Sequence, residues 1–94
     1  MRNKVESGDL VLSLKGRDKG CCFLVISVED NFAKVVDGKV HKTQKEKRKN
    51  IKHIKTILTA EYKSFAEKIK DGLPVGNKKL YQLIKSEKEK LQED

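Results

Sequence analysis

The sequence predicts a small, mainly β domain of the barrel type, followed by a helical C-terminal extension. Three observations predict it in this 94-residue chain: short apolar runs before residue 58, tight-turn residues between them, and helical periodicity afterwards. Five short strands at this spacing are typical of a small five-stranded β-barrel, since closing the sheet removes its exposed edges. The predicted division is therefore a barrel over residues 1–58 and one or two helices over residues 59–94.

The first two predicted strands flank a glycine-containing basic loop. Leucines occupy every second position of residues 9–14, which places them on one face of a strand. Residues 21–28 carry apolar side chains on both faces, so this strand is expected to be covered on both sides or to lie at the barrel closure. Gly16 and Gly20 lie in the loop between them, where glycine permits positive φ and close backbone approach.

Three further strands are predicted before residue 58. An Asp-Gly pair between two short runs is a strong hairpin signal, because a type I′ turn needs positive φ at both central residues. A highly charged segment without apolar residues has nothing to pack and is predicted as a loop. The predicted elements are strands over Phe32–Val36, 39–42 and 51–58, a hairpin turn at Asp37-Gly38 and a loop over 43–50.

Helical periodicity begins after residue 58. Thr59 is the predicted N-cap of a first helix, and Gly72 fits the position just beyond its end. Its apolar stripe, which is expected to pack on the barrel, consists of Tyr62, Phe65, Ala66 and Ile69.

A second helix is predicted to start at Asn77, with a frayed or solvated end over residues 86–94. Its stripe is thinner and leaves two alternatives open: packing on the barrel, or binding a protein partner in a groove. This stripe consists of Leu80, Leu83, Ile84 and Leu91.

The segment from residue 8 to residue 57 resembles a KOW motif protein, and its order is similar to the fourteen-e type of the archaeal and eukaryotic large ribosomal subunits. The resemblance implies an SH3-like barrel that binds RNA, with the first loop lying on the RNA. The residues that carry it are Gly8-Asp9-Leu10-Val11, Gly16, Lys19-Gly20, Val36-Asp37-Gly38 and Asn50-Ile51-Lys52-His53-Ile54.

Net charge points to the same class of partner. The formal net charge is +8, and most of the excess lies before residue 58. Between Lys39 and Lys55 there are eight cations and one acid, Glu46. Charges this dense repel one another, and a polyanion would relieve that repulsion and release its own counterions. We therefore expect these cations to be uncompensated in the free protein.

Two basic segments are the predicted RNA-binding site. Lysine outnumbers arginine in them, which favours point-charge contacts to phosphate over base readout. If both segments share a face, they suit structured RNA, above all the backbone of ribosomal RNA. His53, like His41, flanks the second segment and can stack on a base or bind a ribose hydroxyl. The predicted residues are Lys15, Arg17, Lys19, Lys42, Lys45, Lys47, Arg48, Lys49, Lys52 and His53.

Other function classes find little support in the sequence. We expect no enzyme, because no paired carboxylates, nucleophile elbow or phosphate-binding loop of the Walker type occurs. Cys21 and Cys22 are adjacent, which disfavours a shared zinc site with His41 and His53, so neither metal nor cofactor is expected. Aromatic residues do not interleave with basic ones, which disfavours sequence-specific binding of single strands.

The remaining expectations concern setting and partners. The sequence has neither a membrane-spanning apolar run nor a signal-peptide core, so a cytoplasmic location is expected. The chain is also expected to be a monomer. The alternative function is a protein-interaction module of the SH3-like type, acting on the ribosome or the transcription machinery. Such a module would bind in a salt-insensitive way, whereas RNA binding would weaken steeply with salt.

Overall fold

The computed structural model describes residues 5–37, 47–58, 62–73 and 76–92. Five strands, one 3₁₀ turn and two α-helices follow one another in these residues. They are β1 (Leu10–Ser13), β2 (Cys22–Glu29), β3 (Phe32–Val36), β4 (Lys47–Asn50), the 3₁₀ turn (Ile51–His53), β5 (Ile54–Leu58), α1 (Lys63–Lys70) and α2 (Asn77–Gln92).

All five strands belong to one antiparallel sheet, in the order β4-β3-β2-β1-β5. This confirms the coarser prediction of a five-stranded sheet followed by helices, with Lys47–Asn50 as its fourth strand. The predicted closure of the barrel is not observed, because the described parts of β4 and β5 form the two edges and do not pair with each other. The sheet is therefore open.

The sheet is nevertheless strongly curled. Four strand spacings of about 4.8 Å would separate the edges of a flat sheet by about 19 Å. The 3₁₀ turn that joins the edge strands advances only about 6 Å. Its ends are held by two hydrogen bonds, from Ile51 N–H to the Asn31 carbonyl (2.9 Å) and from Leu14 N–H to the His53 carbonyl (2.8 Å). One turn thus links the β2–β3 turn to the end of β1 and brings the two edge strands near each other at this end of the sheet.

Each face of the sheet has its own apolar core, as the two-sided pattern of β2 predicts. One core lies inside the curl and contains Val5, Val11, Phe23, Val25, Ala33, Val35 and Ile54. The other lies under the helices and contains Leu10, Cys22, Leu24, Ile26, Val36, Ala66, Ile69, Leu80 and Ile84. β2 contributes to both cores and is the central strand of the sheet.

The helices cover one face of the sheet instead of standing apart from it. Ala66 and Ile69 of α1 are buried, which confirms the predicted packing of the first helix. Leu80 and Ile84 of α2 are buried in the same core, which settles the alternatives left open for the second helix in favour of packing for these two residues. The hydroxyl of Tyr62 donates to the Glu87 carboxylate and links the two helical segments.

The start of α1 is fixed by a close approach to Gly8. Gly8 has a φ of +94°, and a Cβ at this position would lie 2.5 Å from the Cα of Lys63. Its carbonyl accepts a hydrogen bond from Tyr62 N–H (3.1 Å). Only glycine lets the two backbones meet at this distance.

Gly72, with a φ of +78°, follows α1 directly after Asp71, as predicted for the residue beyond the helix end.

Two of the predicted elements differ from the structure. The predicted loop over 43–50 is wrong at its end, because Lys47–Asn50 forms β4. The predicted strand over 51–58 is wrong at its start, because Ile51–His53 is a 3₁₀ turn capped by the side chain of Asn50. The predicted hairpin glycine Gly38, the strand over 39–42 and the cap Thr59 lie outside the described residues. α2 is helical through residue 92, including most of the segment expected to be frayed or solvated.

Candidate nucleic-acid interface

Asp18 joins the two basic segments of the sequence. It lies in the loop that connects β1 to β2 (residues 14–21, the β1–β2 loop) and faces β4. Its Oδ1 accepts hydrogen bonds from Lys49 Nζ (2.7 Å) and Ser13 Oγ (2.7 Å), and its Oδ2 accepts one from Lys47 Nζ (2.9 Å). These four residues form what we call the Asp18 cluster. The two segments that sequence alone could not place relative to each other are therefore neighbours.

The register of β4 explains why two lysines reach this carboxylate. Ala33 lies opposite Lys49 and Val35 opposite Lys47, so both lysines point to the interior face of the curled sheet. The Lys49 side chain is buried, and its Nζ also donates to the carbonyl of Lys15 (2.8 Å). A lysine stem can pack on apolar neighbours while its ammonium reaches a polar group. The buried ammonium of Lys49 therefore depends on Asp18 as its counter-ion, whereas solvent also reaches the ammonium of half-buried Lys47.

The Asp18 cluster shifts the titration of its own carboxyl group. Burial acts to raise the pKa of Asp18, but hydrogen bonds from Lys49, Lys47 and Ser13 favour the charged form and hold the pKa well below its ordinary value. Asp18 is therefore ionised at neutral pH and supplies one negative charge to two lysines. The expectation that the basic segments are uncompensated is thus wrong for the pair Lys47 and Lys49, since one carboxylate offsets part of their charge.

The β1–β2 loop presents three cations to solvent. Lys15, Arg17 and Lys19 are all exposed. The loop is shaped by Gly16 and Gly20, whose φ values of +94° and +89° are the left-handed values that favour glycine. Of these three residues, only Lys15 contacts the Asp18 cluster in the described part of the chain, and it does so through its backbone carbonyl. All three side chains therefore extend from a loop whose base is held by hydrogen bonds.

The remaining predicted site residues are distributed around β4 and the 3₁₀ turn. Arg48 is exposed on the face of β4 opposite to Lys47 and Lys49. Lys52 is exposed on the 3₁₀ turn, and His53 is half-buried beside it, with its carbonyl bound to Leu14. Lys42, Lys45 and His41 lie outside the described residues.

Sequence reasoning missed two residues of this region. Asp18 is one acid beside the cations Lys15, Arg17 and Lys19, and its role gives no signal in the sequence, although an acid between two glycines can be turned back toward the sheet. Phe32 carries the guanidinium of Arg48, whose Cζ lies 4.5 Å from the ring centroid. A cross-strand partner sixteen residues away gives no signal in the sequence before the register of the strands is known.

The two cysteines of the chain differ in their surroundings. Cys21 is exposed and Cys22 is buried, and burial raises the pKa of the Cys22 thiol, which disfavours its thiolate form. No group of three or more His, Cys, Asp or Glu side chains in the described ranges is arranged to hold a metal ion. Neither helix, over the residues described for it, has the length and apolar character needed to cross a membrane.

Comparison with protein-family models and with curated proteins finds no match to this chain.

Proposed function

We propose that this chain is an RNA-binding protein of the cytoplasm, which contacts the phosphates of structured RNA in ribosome function or biogenesis. Ribosomal RNA is the favoured target, because the resemblance to KOW proteins of the large subunit points there. The observation that carries the proposal is the meeting of the two basic segments at the Asp18 cluster. A phosphate backbone can then contact the β1–β2 loop and the edge strand β4 together.

Charge supports this proposal even after internal pairing is considered. The β1–β2 loop carries Lys15, Arg17 and Lys19, and β4 brings Lys47 and Lys49 to the carboxylate of Asp18. Most of the positive charge therefore stays uncompensated, and the three loop cations are exposed. A polyanion that binds here relieves their repulsion and releases its condensed counterions.

The fold supports the SH3-like part of the proposal. A curled antiparallel sheet of five strands, with a single 3₁₀ turn joining its edge strands, is the arrangement expected of a small SH3-like barrel with a gap. The glycine-shaped loop that carries the resemblance to the KOW motif is also the loop that presents the exposed cations.

The test is a variant that removes the loop charges without touching the Asp18 cluster. We expect Lys15→Gln, Arg17→Gln and Lys19→Gln together to weaken binding to a ribosomal RNA helix about 100-fold near 0.1 M salt. The slope of log affinity against log salt should fall by about 2 to 3, one for each lost phosphate contact. Filter binding or fluorescence anisotropy across a salt series measures both quantities.

A matched control removes the same number of charges from the helices. Lys68→Gln, Lys79→Gln and Lys85→Gln replace three exposed lysines of α1 and α2. This control should leave the salt slope within experimental error of the unmodified protein. Equal losses in both triple variants would contradict a localised site. Binding of a protein partner that survives high salt, without RNA binding, would favour the protein-interaction module instead.

A further inference from the structure

Arg48 and Phe32 form a cation–π pair on the outer face of the sheet, which is the face opposite to Lys47 and Lys49. Phe32 pairs with Asn50 and Lys34 pairs with Arg48, so Arg48 lies diagonally across from Phe32 on the same face. The Cζ of Arg48 lies 4.5 Å from the ring centroid. Phe32 is half-buried, while Arg48 is exposed. The ring thus holds a charged planar group at the surface of an edge strand.

This arrangement favours a flat ligand. A guanidinium that lies on a ring has already lost part of its side-chain conformational freedom. A second planar group can therefore stack on it at a lower entropic cost. Nucleobases stack on arginine planes and on aromatic rings in RNA complexes, and only unpaired bases have a face available for this. Half-buried Lys34, the cross-strand partner of Arg48, adds a cation on the same face.

We propose that the Arg48–Phe32 pair is a stacking platform for one unpaired base of the bound RNA. This inference rests on the proposed function and deepens it, because it names the target class as a helix interrupted by a bulged nucleotide. β4 is an edge strand with the Asp18 cluster on its interior face and Arg48 on its outer face. Phosphates at the β1–β2 loop and a base turned over this edge would then belong to the same RNA strand.

The experiment compares two RNAs that differ by one nucleotide. One is a perfect duplex, and the other is the same duplex with a single bulged adenine, replaced by 2-aminopurine for fluorescence. The unmodified protein should bind the bulged RNA about tenfold more tightly and change the fluorescence of the 2-aminopurine. Arg48→Lys keeps the charge but removes the plane. It should abolish the preference and the fluorescence change while the salt slope stays the same.

A matched control makes the same exchange in the β1–β2 loop. Arg17→Lys should affect both RNAs alike, so the preference for the bulged RNA should remain. Phe32→Leu keeps an apolar side chain under Arg48 but removes the ring, and it should reduce the preference in the same direction as Arg48→Lys. Thermal unfolding of each variant shows whether it is folded. If Phe32→Leu does not fold, the result for Arg48→Lys decides, because Arg48 is exposed and its substitution does not disturb the core.

The outcomes separate this inference from the proposed function. Equal affinity of the unmodified protein for both RNAs, with a steep salt slope, would overturn the stacking platform and leave phosphate binding intact. A preference that survives in Arg48→Lys would also overturn the platform, and Arg48 would then serve only to cover Phe32. Failure to bind either RNA at low salt would overturn both proposals.

Discussion

Replacing Asp18 by Asn should destabilise the fold through the lysines that depend on this carboxylate. The substitution keeps the size of the side chain and removes its charge. Lys49 is buried and would retain only the carbonyl of Lys15 as a described partner. Lys47 is about one-third exposed and would turn toward water. The predicted loss therefore comes mainly from one buried ammonium that has lost its counter-ion.

The magnitude follows from the burial of each partner. Breaking a fully buried ion pair on one side costs about 3–5 kcal/mol, and exposed pairs contribute about 0–1 kcal/mol. Asn can still accept one or two of the hydrogen bonds, so we expect a loss of about 3 kcal/mol in the free energy of unfolding at pH 7. For a chain of this size, such a loss lowers the Tm by roughly 12–24 °C.

The low pKa of Asp18 adds a pH dependence to this prediction. A carboxyl group with a lowered pKa in the folded state stabilises the fold fully above its ordinary pKa of about 3.9. This stabilisation is lost as the pH falls from there toward the folded-state value. Each pH unit in that window removes about 1.4 kcal/mol. Because the unfolded carboxyl group is only about half protonated at pH 4, the difference between the unmodified protein and Asp18→Asn should shrink by about 1.5 kcal/mol between pH 4 and pH 2.5.

Urea denaturation at pH 7, 4 and 2.5 measures these differences. Asp30→Asn is the matched control, because Asp30 is exposed and its positive φ of 54° suits asparagine. It should change the free energy of unfolding by less than about 0.5 kcal/mol. A loss below about 1 kcal/mol for Asp18→Asn at pH 7, or a loss that does not depend on pH, would refute the role assigned to the Asp18 cluster.

Two further predictions concern the packing of the helices, and urea denaturation measures both. Gly8→Ala should lower the free energy of unfolding by at least about 3 kcal/mol, because its Cβ would lie 2.5 Å from the backbone of α1. In the control Gly20→Ala the new Cβ meets no atom within 4 Å, so the loss should be about 1–2 kcal/mol, from the positive φ alone. Similar costs at both glycines would contradict the close approach. Leu80→Ala should cost about 2–5 kcal/mol, and the partly buried Leu83→Ala clearly less. Equal, small losses would mean that α2 does not pack on the sheet.

The sequence predicts those parts of the fold that depend on local apolar patterns. The strand Phe32–Val36, the two-sided covering of β2 and the stripe of α1 all follow from periodicity. β4 could not be found in this way, because Lys47–Asn50 contains no apolar residue. It is a strand because its backbone pairs with β3 and its lysines reach Asp18, and both partners are distant in sequence.

The candidate site was predictable in composition but not in arrangement. The exposed cations of the β1–β2 loop follow from the glycine and charge pattern around Gly16 and Gly20. The pairing of Lys47 and Lys49 with Asp18 depends on the curl of the sheet, which brings β4 to the loop between β1 and β2. The stacking of Arg48 on Phe32 depends on strand register. Charge counts therefore overstate the number of free cations when a single acid lies within reach.

The salt dependence of binding tests the central claim most directly. The affinity of the unmodified protein for a ribosomal RNA helix is measured from 50 to 300 mM KCl. Several phosphate contacts predict a straight line in log affinity against log salt, with a slope of about −3 or steeper. An affinity that does not change with salt over this range would contradict a surface that binds RNA through its phosphates.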